Sequence, residues 1–152
     1  PAFANEKPIL LVSQNAVNEL NNTLLVQRQS PVSARHFRPN FVVEYDNLPI
    51  GFGVYPEDSW QRLQVENGRL KFRSCGPCAR CAMVDYDPST GTKGKTLRAL
   101  ANYRRVEGNI NFGIFLQGDT ESELENEYWI EEGCAFLCST GEEFPSSKEQ
   151  FK

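Results

Sequence analysis

Apolar and polar residues alternate along this chain in short stretches, and the period of the alternation changes several times. Pro8 to Val12 is an apolar run that predicts a buried strand. Ser13 can then cap a helix, because Val17, Leu20 and Leu24 fall on one face at helical spacing. Residues 27–33 are polar, include Ser30-Pro31, and predict a loop. Phe41 to Tyr45 is rich in β-favouring side chains, and Pro39 stands where a strand can begin. Residues 46–53 hold a proline and two glycines and predict turns. Trp60 to Phe72 predicts two short strands hinged at Asn67-Gly68.

Further along, residues 85–94 are turn-rich. Thr96 to Arg105 predicts a helix with Leu97, Leu100 and Ala101 inward. Ile110, Phe112, Ile114 and Leu116 alternate with Asn111, Gly113, Phe115 and Gln117, a strand pattern of period two. Residues 119–127 form an acidic connector. Tyr128–Ile130 and Ala135–Leu137 predict a closing hairpin, and residues 141–152 a polar tail. No internal repeat is present. Short strands with two helices predict a mixed α/β, mainly β class: a β-barrel decorated with short helices, or a compact mixed sheet.

Composition narrows the partners. The 152 residues suit one domain, and 39% apolar residues suffice for a core. Sixteen basic against twenty acidic residues give a net charge of −4, which disfavours nucleic acid and anionic membranes. A small anionic ligand is still allowed where arginines cluster. The longest apolar run, Ile9 to Val12, is far too short to span a membrane. Residues 1–7 show no secretory pattern and no Met, so the chain is expected to derive from a longer protein. Five cysteines cannot all pair internally, and three of them crowd into seven residues. This reads as reduced thiols in the cytoplasm.

Candidate chemistry concentrates in a few segments. Cys75-Gly-Pro-Cys78-Ala-Arg-Cys81 carries two consecutive C-x-x-C spacings, compatible with a zinc or iron–sulfur site. A fourth ligand would come from Cys134, Cys138 or His36. Cys134 and Cys138 read more readily as small buried hydrophobes, and His36 as a structural histidine. Arg80 directly precedes Cys81, and a neighbouring cation favours thiolate, which makes Cys81 the candidate reactive thiol. Arg35, Arg38, Arg80, Arg104 and Arg105 flank predicted element ends, where anions are held. Arg35 and Arg105 read as solvated surface. Arg38 and Asn40 lie two residues apart in the rigid Phe37-Arg38-Pro39-Asn40. Glu57-Asp58 reads as a turn before an aromatic anchor, Trp60.

Taken together, Phe37-Arg38-Pro39-Asn40, Glu57-Asp58-Ser59-Trp60, Cys78-Ala-Arg-Cys81 and Asp87-Pro-Ser-Thr-Gly91 resemble, in order, the MOSC domain family. Tyr103 to Gly108 with Asn111-Phe112-Gly113 is more similar to its molybdenum cofactor sulfurase branch than to its amidoxime-reducing branch. The resemblance implies a MOSC domain over 1–140, with 141–152 as a tail, and a β-barrel that binds molybdopterin-type molybdenum cofactor. It implies that Cys81 contacts molybdenum and that Arg38 and Asn40 hold the pterin. Arg38 and Arg80 are candidate clamps for the cofactor phosphate. Ala79 departs from the serine or threonine common in the cysteine motif, and Met83 to Tyr86 from the threonine-rich reductase segment. In this family's sulfurases a PLP-dependent cysteine desulfurase domain precedes the MOSC domain, and xanthine dehydrogenase and aldehyde oxidase accept the sulfurated cofactor. No lysine here sits in a recognisable PLP context, so PLP chemistry is expected only from that other domain. The alternatives are a molybdenum-dependent amidoxime-reductase-like enzyme and a stand-alone cysteine-ligated zinc or iron–sulfur module.

Overall fold

The computed structural model describes residues 9–45, 53–66, 70–119 and 130–141. Its strands are β1 (Ile9–Ser13), β2 (Phe41–Val43), β3 (Arg62–Val65), β4 (Lys71–Ala79), β5 (Arg105–Val106), β6 (Asn109–Gly118) and β7 (Phe136–Ser139). Its helices are α1 (Gln14–Val26) and α2 (Thr96–Ala101). The strands form one sheet in the order β2-β1-β6-β4-β3-β7, with β5 added on β6. Only the β1–β2 pair is parallel; the other pairings between strands are antiparallel.

The sheet curls strongly. β2 and β7 are opposite edges, about 24 Å apart if six strands lay flat at their usual spacing. Yet the Phe41 ring on β2 and the Phe136 ring on β7 have centroids 5.6 Å apart, and both pack on Phe72 of β4. The mainly β, barrel-like class expected from the sequence is the observed one.

Each face of the sheet has its own core. Leu10 and Val12 of β1 join α1 residues Val17, Leu20 and Leu24, together with Phe37, Leu100 and Phe112. Leu11, Leu63, Phe72, Ile114 and Leu116 fill the inside of the curl. The β1 run is continuous because both faces of that strand are buried. Ser13 caps α1 as expected, its Oγ accepting the Ala16 N–H at 3.1 Å.

The strict period of two in β6 does not survive. It would put Ile110, Phe112, Ile114 and Leu116 on one face. Instead Phe112 faces the helices, while Ile114 and Leu116 face the interior of the curl. The phase changes at Gly113, where φ is +77° and the β4 register slips between Pro77↔Ile114 and Ala79↔Asn111. β4 carries a matching irregularity at Gly76, φ +94°, which turns Cys78 to the helix side while Phe72 faces inward. Each is a glycine-centred bulge.

Other boundaries moved for local reasons. The helix expected over 96–105 stops at Ala101, and Arg105–Val106 pairs back onto β6 through Glu107 and Gly108, both at positive φ. The cysteine segment lies largely in β4 rather than after it. Of the two segments expected to close the fold, the second forms β7, which pairs with β3. Ile130 is in no strand. The expected turns at 46–52, the Asn67-Gly68 hinge, the acidic connector from 120, Tyr128 and Trp129 of the expected hairpin, and the tail from 142 lie outside the described residues.

Gly113 offers a direct test of the bulge. A Cβ there would meet the Leu11 carbonyl oxygen at 2.5 Å and Val12 Cγ2 at 2.9 Å. Gly113→Ala should therefore lower stability by about 3 kcal/mol, combining left-handed backbone strain with overpacking. Urea denaturation measures this; a loss below about 1 kcal/mol, the low end of those costs, would mean the bulge relaxes freely.

Candidate functional site: a thiol and an arginine joined by a buried guanidinium

Cys81 leaves the end of β4 and begins a 3-10 turn, Ala82–Asp85. Its thiol is exposed, whereas Cys78 is buried and Cys75 half-buried. Cys75 Sγ contacts the Gln117 side chain at 3.9 Å, while Cys78 packs in the helix-side core. The three thiols are thus distributed over different environments. Among the described residues no group of three or more Cys, His, Asp or Glu is disposed to hold a metal ion.

A second 3-10 turn, Ala34–Phe37, packs against the turn that follows Cys81. It ends on Arg38, which is exposed in the left-handed region with φ 54° and ψ 48°. A non-glycine residue is uncommon there and pays about 1 kcal/mol for it. The Arg38 N–H donates to the Arg35 carbonyl at 3.1 Å. Its guanidinium has no hydrogen bond or ion pair among the described residues. Asn40 is exposed but tied to β1: its Oδ1 accepts the Leu10 N–H, and its own N–H donates to the Leu10 carbonyl, both at 2.8 Å. The same side chain that the resemblance assigns to the pterin therefore also fixes the start of β2.

Arg80 joins the two halves. Its Nε donates to the Phe112 carbonyl at 2.7 Å and its Nη1 to the Phe37 carbonyl at 3.1 Å. Nη2 is buried and has no hydrogen-bond partner among the described residues. Burial holds the guanidinium below its usual range, offset in part by the Cys78 and Cys81 sulfurs nearby. The side chain points inward, so the residue before Arg38 and the residue before Cys81 are bonded to one another. A cavity of about 320 Å³, lined in part by His36, Asp85, Asp87 and Lys95, contains none of Arg38, Asn40, Arg80 and Cys81.

The remaining candidates resolve into structural parts. His36 Nδ1 accepts the Ser33 N–H at 3.2 Å and closes its own turn. Asp87 accepts the Ser89 and Thr90 N–H groups, which holds its exposed carboxyl below the usual range and accounts for the Asp87 to Gly91 motif as a turn. Asp85 Oδ1 accepts the Leu97 N–H at 2.7 Å, at the start of α2. Burial pushes the Cys138 thiol up to about 12, and Cys134 sits in the turn before β7 rather than in a strand. Arg35 and Arg105 are exposed, as expected. A notch of about 690 Å³ lined by Trp60, Arg62, Arg73 and Thr140 contains none of the four site residues.

Glu57 and Asp58, adjacent in sequence, part company. Asp58 forms a two-pronged ion pair with Arg104, at 2.7 and 2.9 Å. Arg104 also donates to the Asn111 carbonyl at 2.9 Å and lies 4.1 Å from the Tyr55 ring centroid. Glu57 is 0% exposed, and among the described residues neither carboxylate oxygen has a hydrogen-bond partner. Loss of water is the main reason its carboxyl is pushed up to about 7, and Asp58 adds to it. Sequence reading placed Glu57 in a turn and missed its burial; alternation cannot reveal which of two acids in a short turn faces inward.

With the fold and the site in hand, the protein class is a curled, mainly β domain presenting an exposed thiol beside an arginine-bearing turn. Residues 2–135 match the MOSC domain family, and the chain belongs to it. It is 36% identical over 150 residues to molybdenum cofactor sulfurase of Oryza sativa subsp. japonica, covering 91% of this chain and 17% of that protein. It is 40% identical over 116 residues to the sulfurase of Aspergillus terreus, covering 73% and 14%. With that of Arabidopsis thaliana it shares 33% over 137 residues, covering 84% and 16%. The chain therefore spans under a fifth of these relatives' length. No helix among the described residues is long and apolar enough to cross a membrane.

Glu57 makes the stability of the domain pH-dependent. Its folded value near 7 exceeds the ordinary 4.5, so the folded state holds a proton that the unfolded state has lost between those limits. That contribution is fully present below about 4.5 and is lost as pH rises through 7. Glu57→Gln should abolish this fall, gaining about 2–3 kcal/mol on wild type between pH 4.5 and 8. Chemical denaturation at several pH values measures the difference; a pH-independent difference between the two proteins would mean that Glu57 does not titrate in this window.

Proposed function

We propose that this chain is the cofactor-holding MOSC part of a molybdenum cofactor sulfurase. It holds molybdopterin-type cofactor as substrate while a terminal sulfur ligand is added for xanthine dehydrogenase and aldehyde oxidase. The observation that carries the reading is the bonded unit Arg38–Phe37–Arg80–Cys81, with a thiol and a guanidinium exposed at its two ends. The donor set fits the group. A soft thiolate suits a high-valent molybdenum centre, and an exposed arginine with no partner among the described residues suits an oxyanion. When bound, the cofactor supplies a molybdenum centre at which one terminal ligand can be exchanged for sulfur.

Each residue then has a part. Cys81 supplies the thiolate that orients the metal end. Arg38 offers its planar fork to the phosphate or pterin. Asn40 keeps Phe41 and the Arg38 turn attached to β1 through its paired bonds to Leu10. The transferred sulfur would arrive as a persulfide from a PLP-dependent cysteine desulfurase domain, which makes the whole protein a transferase. The free thiols suit a reducing, cytoplasmic setting.

Two sets of variants test the reading. Arg38→Ala should weaken molybdopterin binding by about 1.5–3 kcal/mol, with partial recovery in Arg38→Lys. Titration of pterin fluorescence reads this, and unchanged affinity in a folded variant removes Arg38 from the site. For the thiols, full-length protein is reconstituted with a desulfo acceptor enzyme and recovered activity is scored. Cys81→Ser should fold and fail to deliver sulfurated cofactor, Cys75→Ser should keep most of the activity, and Cys78→Ser a measurable part. Equal loss in all three, together with loss of bound zinc or iron, would assign the cysteines to a metal module instead.

A further inference from the structure

We propose that Arg80 is a positioning residue, which fixes the Cys81 thiol and the Arg38 guanidinium relative to one another from beneath and does not touch the cofactor. This rests on the reading of Arg38 and Cys81 as the residues that hold it. Three bonds anchor Arg80. Its main-chain N–H donates to the Ile110 carbonyl at 2.7 Å, and its side chain reaches the Phe112 and Phe37 carbonyls. Ile110 and Phe112 belong to β6, whereas Phe37 ends the turn that carries Arg38. One planar group therefore spans two segments more than seventy residues apart in the chain.

The packing around it leaves little freedom. The guanidinium lies 5.3 Å from the centroid of the Phe37 ring, which stacks on Phe112 at 4.3 Å. A Cβ at Gly113 would come within 3.3 Å of Nη2, so the bulge glycine also makes room for the fork. The two acceptors are neutral carbonyls, and among the described residues no carboxylate is bonded to the group. A guanidinium buried without an acid is costly. Packing alone would be served by an apolar side chain of the same volume. A fork that holds two carbonyls from different segments is served only by arginine, because lysine offers one point of attachment.

An arginine that clamps a phosphate keeps a prong in solvent. Here every prong is turned inward, and Nη2 is buried. Arg80 thus acts through the residues on either side of the bond it makes: Arg38, one residue beyond Phe37, and Cys81, its own neighbour.

The test is a double-mutant cycle in the full-length protein, read by pterin fluorescence with molybdopterin as the probe, alongside iodoacetamide labelling of Cys81 without cofactor. Arg80→Lys should lower molybdopterin affinity roughly tenfold in the wild-type background, but only about threefold or less when Arg38 is already alanine, as coupled neighbours require. It should also change the rate of Cys81 alkylation at fixed pH by about threefold or more, the scale expected of coupled neighbours, and leave Cys75 labelling unchanged. Arg80→Gln serves as second variant, with melting temperature recorded for both. Additive losses would mean that Arg80 touches the cofactor itself and would overturn the proposal, as would an unchanged alkylation rate. If wild-type protein fails to bind molybdopterin, the functional reading falls, and the alkylation arm still decides whether Arg80 positions Cys81.

Discussion

The structure depends on a reversal of the β-strand face at Gly113. An uninterrupted β6 would commit its alternating apolar residues to one side of the sheet. The bulge divides them instead, sending Phe112 to the helices and Ile114 with Leu116 into the curl. Two cores can then share one central strand. The companion irregularity at Gly76 does the same for β4, which is why Cys78 lies among helix-side residues while Phe72 supports the aromatic closure of the sheet edges. Bulges of this kind re-aim side chains where a sheet ends near a site. Cys81 is delivered to the surface just past the second of these reversals along β4.

Two arginines convert this framework into a defined surface. Arg80 and Arg104 both donate to successive carbonyls of β6, at Phe112 and Asn111, and both lie against aromatic rings. Each then reaches a different short turn: Arg80 the one ending in Phe37, Arg104 the one holding Asp58. The loops that carry the most recognisable motifs are thus bonded to the central strand β6. Buried hydrogen bonds of charged groups have stronger net effects than neutral ones, so such attachments can hold loops that contribute little apolar burial of their own.

Much of this was legible in the sequence, and the exceptions have physical causes. α1 and its Ser13 cap followed from helical spacing, and β1 from its apolar run, because these depend on neighbours in the chain. The strand over the cysteine segment was hidden by Gly76 and Pro77, residue types uncommon inside a strand, which here serve a bulge. The early end of α2 was hidden because Tyr103 and Arg104 suit a helix, while the Glu107-Gly108 turn commits the segment to β6. For the site, Arg38 and Cys81 could be picked out as chemistry, but their link could not, since it is a side-chain bond to a distant carbonyl. Glu57 was invisible for the same reason: its burial is decided by what packs over a single turn.

The separation of the three neighbouring cysteines has a consequence for sulfur handling. A sulfane sulfur or sulfenic acid on a protein thiol is usually discharged when a second thiol attacks it and closes a disulfide. Cys78 is buried among apolar side chains, and Cys75 is held beside Gln117 on another part of β4. Neither is placed to act as that second thiol without first leaving its packing. Were oxidised sulfur to form at Cys81, neither of these two neighbours would stand ready to discharge it, and it would be left for another acceptor to take.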